Sequence, residues 1–392
     1  MRSRMHPRYY LCSEVFSQEQ QKIFRKTWQF AGLKTLLPQN NSFITRKIAG
    51  LPIVIQNFHG ELHAFENVCL HRSAALQKDA VGCRPLICPY HAWKYNATGQ
   101  VSNIPHCDAI YRFDESQKQS LKLREFALRI VGNLIFINLD PQPYPLEEQF
   151  SAEFIESLES SSNSYDNEVM VTTWNCKFNW KLPYENLRDA NHVAYVHPRS
   201  LAPFVSFAID VDSTAAKESE QPLSNTSPEG LRQEMRGFSL GGKPEGIIEK
   251  LSRFEWHGNV DRWRASARSK ADPRTDDAYF NWLVYPNTHI ASGDGGHTFT
   301  IEHHIPIAPH RTDVEIYYLT ARKKNSYATS AQVLLAAMHA GHRILTEDYD
   351  ILEQLQSTLH MDAPVPTQGA YESTNQQIER WYTTLMEDSH EL

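Results

Sequence analysis

The sequence predicts an α+β protein of two domains, an all-β domain followed by a larger domain in which helices flank an antiparallel sheet. The chain has 392 residues, which is long for a single hydrophobic core. Residues 43–66 contain three strand-length runs separated by the turn pairs Ala49-Gly50 and His59-Gly60. Beyond residue 168, strand-length runs are followed by segments of helical periodicity, and this change predicts the second domain.

Two changes of composition divide the chain into three parts. Residues 1–39 have apolar side chains at helical spacing, which predicts an N-terminal helical segment packed on the second domain. Residues 40–155 form the predicted β domain, whose last strand pattern lies over 127–139 and precedes a Pro-rich stretch. Residues 156–392 form the second domain, and its polar beginning, 156–168, is predicted to be a surface connection.

Periodicity also predicts individual elements. Ser17 is a suitable N-cap for a helix that ends near Trp28. In the second domain the predicted strands begin at 169 and lie at 279–285, 298–305 and 314–320, and the predicted helices span 330–360 and 373–386. Residues 209–250 are predicted to form a long loop near a pocket mouth. Aromatic candidates for lining that pocket are Phe204, Phe207, Trp282, Tyr285 and His289, although such residues on strands are more often core.

Composition excludes several classes of partner. The net charge is −7 and no block of Lys or Arg is present, so nucleic acid and anionic membrane surfaces are not expected to bind. No apolar run approaches the roughly 18 residues that span a bilayer, and we expect a cytoplasmic protein. Outside the motifs described next, the cysteines have no disulfide-framework spacing and are expected to be free thiols; they are Cys12, Cys83, Cys107 and Cys176.

Two short clusters each contain one Cys and one His. The first is Cys69-Leu-His71-Arg, and the second is Cys88-Pro-Tyr-His91-Ala-Trp. Thiolate and imidazole ligands suit either zinc or an iron-sulfur cluster. Structural zinc sites of two Cys and two His normally keep both Cys in one cluster and both His in the other. One of each in both loops fits a centre of two irons and two sulfurs.

This pair of loops resembles a Rieske iron-sulfur site. The resemblance implies a 2Fe-2S cluster in which Cys69 and Cys88 bind one iron and His71 and His91 bind the other. Trp93, which closes the second motif, is expected to cover the cluster, since a hydrophobic shell helps to set its potential.

A second segment, 183–198, has Pro at its first and last positions and predicts a helix of about four turns. Asp189 and His192 are three residues apart and share a face of that helix. His192 and His197 are five residues apart, about 140° around a regular helix. They can face one point only if the helix widens or ends between them.

The pattern Glu-Asn-x-x-Asp-x-x-His-x-x-x-x-His resembles the catalytic domain of Rieske non-haem iron oxygenases, in the large subunit of the ring-hydroxylating type. The resemblance covers nearly the whole chain and implies a helix-grip fold. It also implies a mononuclear iron bound by His192, His197 and a carboxylate. Asp348 matches the carboxylate position of the pattern Glu-Asp-x-x-x-x-Glu-x-x-Gln. The rivals for this role are Glu347, Asp350 and Glu353, and Asp350 is the first alternative.

Asp189 is predicted to accept a hydrogen bond from a ring N–H of His192. By resemblance, Asp189 also links to a cluster-ligating His of a neighbouring subunit and so acts as an electron-transfer bridge. Tyr184 and Asn186 are further candidates for residues that support the ligands.

The resemblance implies the terminal oxygenase of a multicomponent system. It would hold one Rieske 2Fe-2S cluster and one mononuclear non-haem Fe(II), and would receive electrons from NAD(P)H through a separate reductase, with or without a ferredoxin. No G-x-G-x-x-G nucleotide motif is present in the chain, in agreement with an external reductase.

Family members act on several kinds of substrate, and many of them are homotrimers. A small aromatic substrate is the first expectation here, and hydroxylation or demethylation of an N-methyl or quaternary ammonium compound is the alternative. The quaternary class requires an aromatic cage, which the sequence alone does not reveal. A Rieske-type electron carrier without oxygenase activity is the alternative from another class.

Overall fold

The structure is a computed structural model that describes residues 2–201, 205–206, 233–234, 239–240, 280–292, 298–320, 330–369 and 372–387. The chain divides into two compact units. The smaller is residues 24–146, and the larger joins residues 1–23 to residues 147–392. The boundaries drawn from the sequence lie elsewhere, at residues 39 and 155. A strand of the smaller unit at Gln29–Leu33 precedes the first boundary, and a helix at Ala152–Asn163 spans the second.

The smaller unit is built from short antiparallel strands. They are β1 (Gln29–Leu33), β2 (Ser42–Ile48), β3 (Leu51–Phe58), β4 (Glu61–Glu66), β5 (Val81–Cys83), β6 (Lys94–Tyr95), β7 (Val101–Asn103), β8 (Glu125–Val131) and β9 (Leu134–Asn138). Seven of these strands form one sheet in the order β1-β9-β8-β4-β3-β2-β5, and β6 pairs with β7. The predicted strand over 127–139 is a hairpin, because Gly132 at its turn has a positive φ of 59°.

Both faces of the seven-stranded sheet are buried. Successive residues of a strand point to opposite faces, so Phe43 and Ile44 of β2 enter different cores. Ile44 belongs to a core of mainly aliphatic side chains. Phe43 belongs to a second core that also contains Cys69, Cys88 and Trp93. The sheet therefore supports the two Cys-containing loops on one of its faces.

Strand β1 determines where the smaller unit begins. Its five residues are buried, and Gln29 pairs with Ile137 of β9. The predicted N-terminal helical segment therefore ends earlier than residue 39. Its helices are α1 (Arg8–Leu11) and α2 (Ser13–Glu19), and a π-helical turn follows at Gln20–Phe24. Helix α2 begins at Ser13 rather than after Ser17. The smaller unit also contains α3 (Glu115–Ser120).

The larger unit combines a sheet with helices, as predicted. Its strands are β10 (Met170–Cys176), β11 (Val205–Ser206), β12 (Gln233–Glu234), β13 (Ser239–Leu240), β14 (Phe280–Val284), β15 (Thr288–Ser292), β16 (Thr298–Ala308) and β17 (Arg311–Thr320). Six strands form an antiparallel sheet in the order β10-β17-β16-β15-β14-β12, and β11 pairs with β13. The helices are α4 (Leu146–Gln149), α5 (Ala152–Asn163), α6 (Leu182–Leu187), α7 (Val193–Val196), α8 (Ser330–Thr358) and α9 (Ser373–Met386).

Helices α5 and α8 pack against opposite faces of this sheet. On one face, Phe154 of α5 contacts Trp282 at a ring-centroid distance of 6.1 Å. On the other face, Tyr349 of α8 contacts Trp174 of β10 at 5.3 Å. Trp174 and Trp282 lie on opposite faces because of the alternation of strand side chains. The sheet is therefore the middle layer of the larger unit.

Helix α5 replaces part of the polar surface connection predicted at 156–168. Ser151 caps its N-terminus, since its hydroxyl accepts a hydrogen bond from the amide of Phe154 at 3.1 Å. Three of its serines, Ser157, Ser161 and Ser162, are buried, and their small side chains allow close packing. None of the described helices is long and apolar enough to cross a lipid bilayer.

Candidate metal centres

The two Cys-containing loops of the smaller unit make the same backbone turn. The amide of Ser73 donates to the carbonyl of Cys69 at 2.9 Å, and the amide of Ala92 donates to the carbonyl of Cys88 at 3.0 Å. Ser73 and Ala92 each have a positive φ, 54° and 57°. Each donor stands four residues after its Cys, so the chain curls around the Cys and the His that follows it.

The predicted cluster ligands lie together. Cys69 and Cys88 are each 2 % exposed, and their thiols are close enough to interact by hydrogen bonding. The rings of His71 and His91 meet at a centroid distance of 4.5 Å. Nδ1 of each ring is buried and has no hydrogen-bond partner among the described residues. Buried polar atoms are rarely left unpaired, so two adjacent unpaired Nδ1 atoms fit a bound metal.

Electrostatics around His71 also suits metal binding. Burial lowers the pKa of His71, and the charges of His91 and Arg72 lower it further. A lowered pKa keeps the imidazole neutral, which is the form that binds a metal.

Aromatic side chains surround these ligands. Trp93 stacks on His71 at 4.9 Å with an interplanar angle of 5°, and Tyr111 meets both rings edge-on. The hydroxyl of Tyr95 lies 3.3 Å from Sγ of Cys69, and it accepts a hydrogen bond from the amide of Leu70. Burial and the contact with Cys69 raise the pKa of Tyr95, so the phenol keeps its proton and can donate to a thiolate. Donors to the sulfurs are among the features that set the potential of an iron-sulfur centre.

In the larger unit, the predicted four-turn helix over 183–198 is broken into shorter pieces. Helix α6 ends at Leu187, a 3-10 turn covers Ala190–His192, and α7 covers only Val193–Val196. The break follows from Asp189, whose carboxylate accepts a hydrogen bond from the amide of Asn191 at 2.9 Å and so competes with helical bonding. Two histidines flank α7, His192 before it and His197 after it.

This break brings three predicted ligands to one point. Nε2 of His197 lies 3.0 Å from Oδ1 of Asp348, and Nε2 of His192 lies 3.4 Å from the same oxygen. One ligand atom from each of the three residues lies within 4.8 Å of the other two. His197 is 1 % exposed and Asp348 is 7 % exposed. Two imidazoles and one carboxylate at this spacing form the donor set of a non-haem Fe(II) site with open positions.

Burial alone would raise the pKa of Asp348. The hydrogen bonds and charges of His192 and His197 outweigh burial and lower that pKa to about 2. Asp348 is therefore an anion, which is the form that binds a divalent cation. Asp350, the alternative ligand, is exposed and lies outside this group.

Glu347 and Asn186 form hydrogen bonds with the candidate ligands. Oε2 of Glu347 lies 2.7 Å from Nδ1 of His197, and Ser200 donates a short hydrogen bond to the same oxygen. Nδ2 of Asn186, on α6, donates to Oδ1 of Asp348 at 2.9 Å. Asn186 is a supporting residue suggested by the sequence. The sequence interpretation considered Glu347 only as a rival ligand, although its place next to Asp348 was a signal for a role beside the metal.

The sequence also suggested Asp189 and Tyr184 as residues that support the ligands. Oδ2 of Asp189 lies 3.9 Å from Nδ1 of His192, which is longer than a hydrogen bond. Nδ1 of His192 is buried and has no hydrogen-bond partner within the described ranges. Tyr184 is 1 % exposed and packs against His304 of β16, on the sheet.

Among the pocket candidates, Phe204 and Phe207 lie outside the described residues, as does most of the predicted 209–250 loop. Trp282, Tyr285 and His289 are buried at 1 %, 1 % and 2 % exposure. Trp282 packs on α5, and Tyr285 packs on Trp381 of α9 at 4.7 Å. His289 contacts a buried carboxylate on β16.

Comparison with known proteins agrees with this division of the chain. Residues 27–120 match the family described as the Rieske 2Fe-2S domain. Residues 155–388 match the family described as the ring hydroxylating alpha subunit, catalytic domain. These matches imply the cluster in the smaller unit and the non-haem iron in the larger one.

Two curated relatives illustrate the range of chemistry. The oxygenase subunit of glycine betaine monooxygenase from Pseudomonas aeruginosa is 31% identical over 228 residues, which cover 55% of this chain and 51% of that protein. The large subunit of anthranilate 1,2-dioxygenase from Acinetobacter baylyi is 31% identical over 195 residues, covering 47% of this chain and 40% of that protein. The matched part of the chain thus spans about half the length of these relatives, or less.

Solved structures share the fold. A quaternary ammonium Rieske monooxygenase, reported with carnitine oxidation and inter-subunit electron transfer, has a TM-score of 0.70 and 19% identity, covering 97% of this chain and 94% of the other. The α+β architecture expected from the sequence is therefore confirmed. Because the catalytic-domain match alone covers more than half of the residues, the chain belongs to the family of Rieske ring-hydroxylating oxygenase alpha subunits.

Proposed function

We propose that the chain is the terminal oxygenase component of a multicomponent Rieske oxygenase. The convergence of His192, His197 and Asp348 on one point in the catalytic domain is the observation that carries this proposal. A Rieske-type electron carrier would have no use for such a site. The cluster held by the four ligands of the smaller unit would then deliver electrons one at a time, and the iron site of the larger unit would use them.

The cluster residues fit the assignment made from the sequence. The thiolates of Cys69 and Cys88 would bind one iron, and Nδ1 of His71 and His91 would bind the other. The unpaired state of both Nδ1 atoms supports this choice of nitrogen. The mononuclear iron would take Nε2 of His192, Nε2 of His197 and the carboxylate of Asp348.

When bound, the mononuclear iron supplies the activation of dioxygen next to the substrate. A monooxygenation consumes the substrate C–H bond, O2, two electrons and two protons, and it yields the alcohol and water. A dioxygenation consumes the same electrons and protons and places both oxygen atoms on the product. The electrons come from NAD(P)H through a separate reductase, directly or by way of a ferredoxin.

Residues of this chain prepare the iron site. The carboxylate of Glu347 accepts a hydrogen bond from Nδ1–H of His197. This contact directs Nε2 of the same ring toward Asp348. Asn186 fixes the carboxylate of Asp348 with a neutral donor. Asp189 is the proposed bridge for electrons arriving from the cluster of a neighbouring subunit in a homotrimer. The compartment proposed for this chemistry is the cytoplasm.

The substrate is a small organic molecule. Its two candidate classes are an aromatic compound and an N-methyl or quaternary ammonium compound, and both are represented among relatives at 31% identity. Oxidation of the second class would hydroxylate or remove a methyl group.

Metal content and electron use test the proposal together. The wild-type chain should hold three irons, two in the cluster and one mononuclear, whereas His192→Ala should hold two and keep the cluster absorbance. His310→Ala, in the exposed turn between β16 and β17, is the matched control and should hold three. NADH-dependent oxygen consumption with a reductase and candidate substrates should be lost only in His192→Ala. Two irons in every form, with no oxygen consumption, would identify an electron carrier instead.

A further inference from the structure

A carboxylate is buried on the sheet face that is covered by helix α8. Glu302 of β16 is 5 % exposed and pairs with Ile316 of β17, which in turn pairs with Thr172 of β10. Residues paired directly across strands share a face, as do residues two apart on one strand. Trp174, two residues after Thr172, contacts α8. Glu302 therefore points into the layer that also contains the candidate iron ligand of α8.

Among the described residues, Glu302 has no cationic side chain as a partner, although a buried carboxylate ordinarily has one. Its oxygens are contacted by Nδ1 of His289 at 3.3 Å and by Nε2 of His304 at 3.7 Å. Within the part of the chain that the structure describes, no Lys or Arg nitrogen lies within 4.0 Å of it. By contrast, the buried Glu19 lies 2.6 Å from Nζ of Lys181. Buried carboxylates are ordinarily paired with a positive charge.

Unpaired polar atoms also lie on this side of the sheet. Nε2 of His289 and the hydroxyls of Tyr184 and Tyr349 are buried and have no hydrogen-bond partner among the residues described. The three residues are 2 %, 1 % and 6 % exposed. The ring of Tyr184 lies 5.5 Å from that of His304, so these groups are neighbours. Buried polar atoms are normally satisfied, and a group of unsatisfied ones indicates a place for a ligand or ordered water.

The electric field of Glu302 reaches the tyrosines. Burial, Tyr285 and Glu302 raise the pKa of Tyr184. Burial and Glu302 raise the pKa of Tyr318 to about 12. Tyr349, which follows the candidate ligand Asp348 in α8, packs on Trp174 of the same sheet face that carries Glu302.

We propose that Glu302, with His289 and His304 beside it and the rings of Tyr184 and Tyr349 near it, binds the positively charged nitrogen of an organic cation. A trimethylammonium group has no N–H to donate, so it is recognised by negative charge and by aromatic faces. A neutral aromatic substrate would bring no positive charge to Glu302. This subsite rests on the proposed oxygenase function, since a methyl carbon of the cation would then lie near the mononuclear iron.

Calorimetric titration of the intact, metal-loaded chain without oxygen tests the subsite. The probes are choline, glycine betaine and carnitine, with 3,3-dimethylbutan-1-ol as the neutral isostere of choline and benzoate as an aromatic acid. At least one trimethylammonium compound should bind the wild type at least tenfold more tightly than the isostere and benzoate do. Glu302→Gln should weaken the cation at least tenfold and leave the neutral alcohol within about twofold.

Two variants separate a local effect from a folding defect. Glu302→Asp keeps the charge and should recover part of the cation affinity. Glu315→Gln makes the same change on the opposite face of β17's sheet, where Glu315 accepts a hydrogen bond from the hydroxyl of Tyr317 at 2.6 Å, and should bind like wild type. Thermal unfolding and cluster absorbance of each variant report whether it has folded.

Several outcomes would overturn the subsite. They are equal affinity for choline and its isostere, no binding of any of the three cations, tighter binding of benzoate, or cation binding unchanged in a folded Glu302→Gln. Binding is read without turnover, so it is independent of the oxygenase assay. A cation that binds through Glu302 to a chain with no mononuclear iron would support the subsite and contradict the proposed function. Oxygen consumption that is stimulated by an aromatic compound and by none of the cations would support the proposed function and contradict the subsite.

Discussion

Glu347 lies 2.7 Å from Nδ1 of His197, on the side of the imidazole opposite to Asp348. Glu347 and Asp348 are consecutive residues of α8, so one helix turn contacts both nitrogens of the same ring. A proton on Nδ1 is thereby favoured, and Nε2 is left with a lone pair directed at the candidate iron position.

Removal of the Glu347 carboxylate should weaken the binding of the mononuclear iron. Glu347→Ala should lower iron affinity by roughly 10- to 100-fold, the usual effect of losing a partner of a ligating His. Chelator competition measures this loss, and cluster absorbance should be unchanged. Glu353→Ala is the control on the same helix, because Glu353 accepts a hydrogen bond from the amide of Lys177 and is not a neighbour of His197 in the described structure. Equal iron retention by both variants would contradict the role of Glu347.

The hydrogen bond from Asn186 to Asp348 should slow the release of the mononuclear iron. Asn186→Ala removes a 2.9 Å donor to Asp348 and lets the carboxylate rotate, so iron should be released to a chelator several times faster. Asn175→Ala is the control, since this exposed side chain donates to Asp313 with similar geometry, away from the site. If iron is released at the same rate from both variants, Asn186 does not hold the carboxylate.

Asp189→Asn should keep both metal centres and lose turnover. The carboxylate is 3.9 Å from His192 and is not a candidate ligand, so its loss should leave iron content at the wild-type level. As the proposed bridge, it should instead slow electron delivery to the mononuclear iron. Stopped-flow reoxidation of the reduced cluster in the presence of substrate measures this step. Wild-type rates of cluster reoxidation and product formation would falsify the bridge.

Stability should fall as pH rises because of Glu185. Burial raises the pKa of Glu185 from 4.5 to about 7, with a further contribution from Glu379, while Tyr10 and Lys181 oppose the shift. The folded state therefore holds a proton that the unfolded state releases above pH 4.5, and stability declines between pH 4.5 and 7 by about 3 kcal/mol at most. Glu185→Gln removes this dependence.

Calorimetric unfolding at several pH values provides the measurement. The melting temperature of Glu185→Gln relative to wild type should increase from pH 5 to pH 8. A constant difference across that range would show that Glu185 ionises normally.

The buried pair of Glu19 and Lys181 should matter more than a surface pair. Their side chains are 0 % and 6 % exposed and lie 2.6 Å apart. Glu19→Gln leaves Lys181 buried without a counter-charge and should destabilise the chain by about 3–5 kcal/mol in denaturant unfolding. Glu115→Gln breaks the exposed pair with Lys118 and should change stability by less than about 1 kcal/mol. Similar values for the two variants would contradict this view of the buried pair.

Local sequence patterns predicted most elements of the fold. Alternation located β2, β3 and β4 almost to the residue, and helical periodicity located α9, because one face of each is apolar. Helix α5 was missed because its buried positions include several serines. Serine is read as solvated, and only the tertiary contact with the sheet shows that its small volume permits close packing.

The candidate iron site was partly predictable. The spacing of His192 and His197 showed that a regular helix could not bring both to one point. In the structure, the helix is interrupted between Leu187 and the 3-10 turn that begins at Ala190. Periodicity does not predict such a break, because it depends on a side-chain contact with the backbone. Glu302 was not singled out, because the lack of a Lys or Arg partner among the described residues is visible only in three dimensions.

The N-terminal helices have a consequence for how the chain matures during synthesis. Glu19 accepts hydrogen bonds from Trp180 and Tyr382, residues 161 and 363 positions further along the chain. At a translation rate of about 5–20 residues per second, the interval before Tyr382 is made is roughly 20 to 70 s. The whole of residues 24–146 is made within that wait. The smaller unit can therefore fold on the ribosome before the larger unit has all the residues that contact its N-terminal helices.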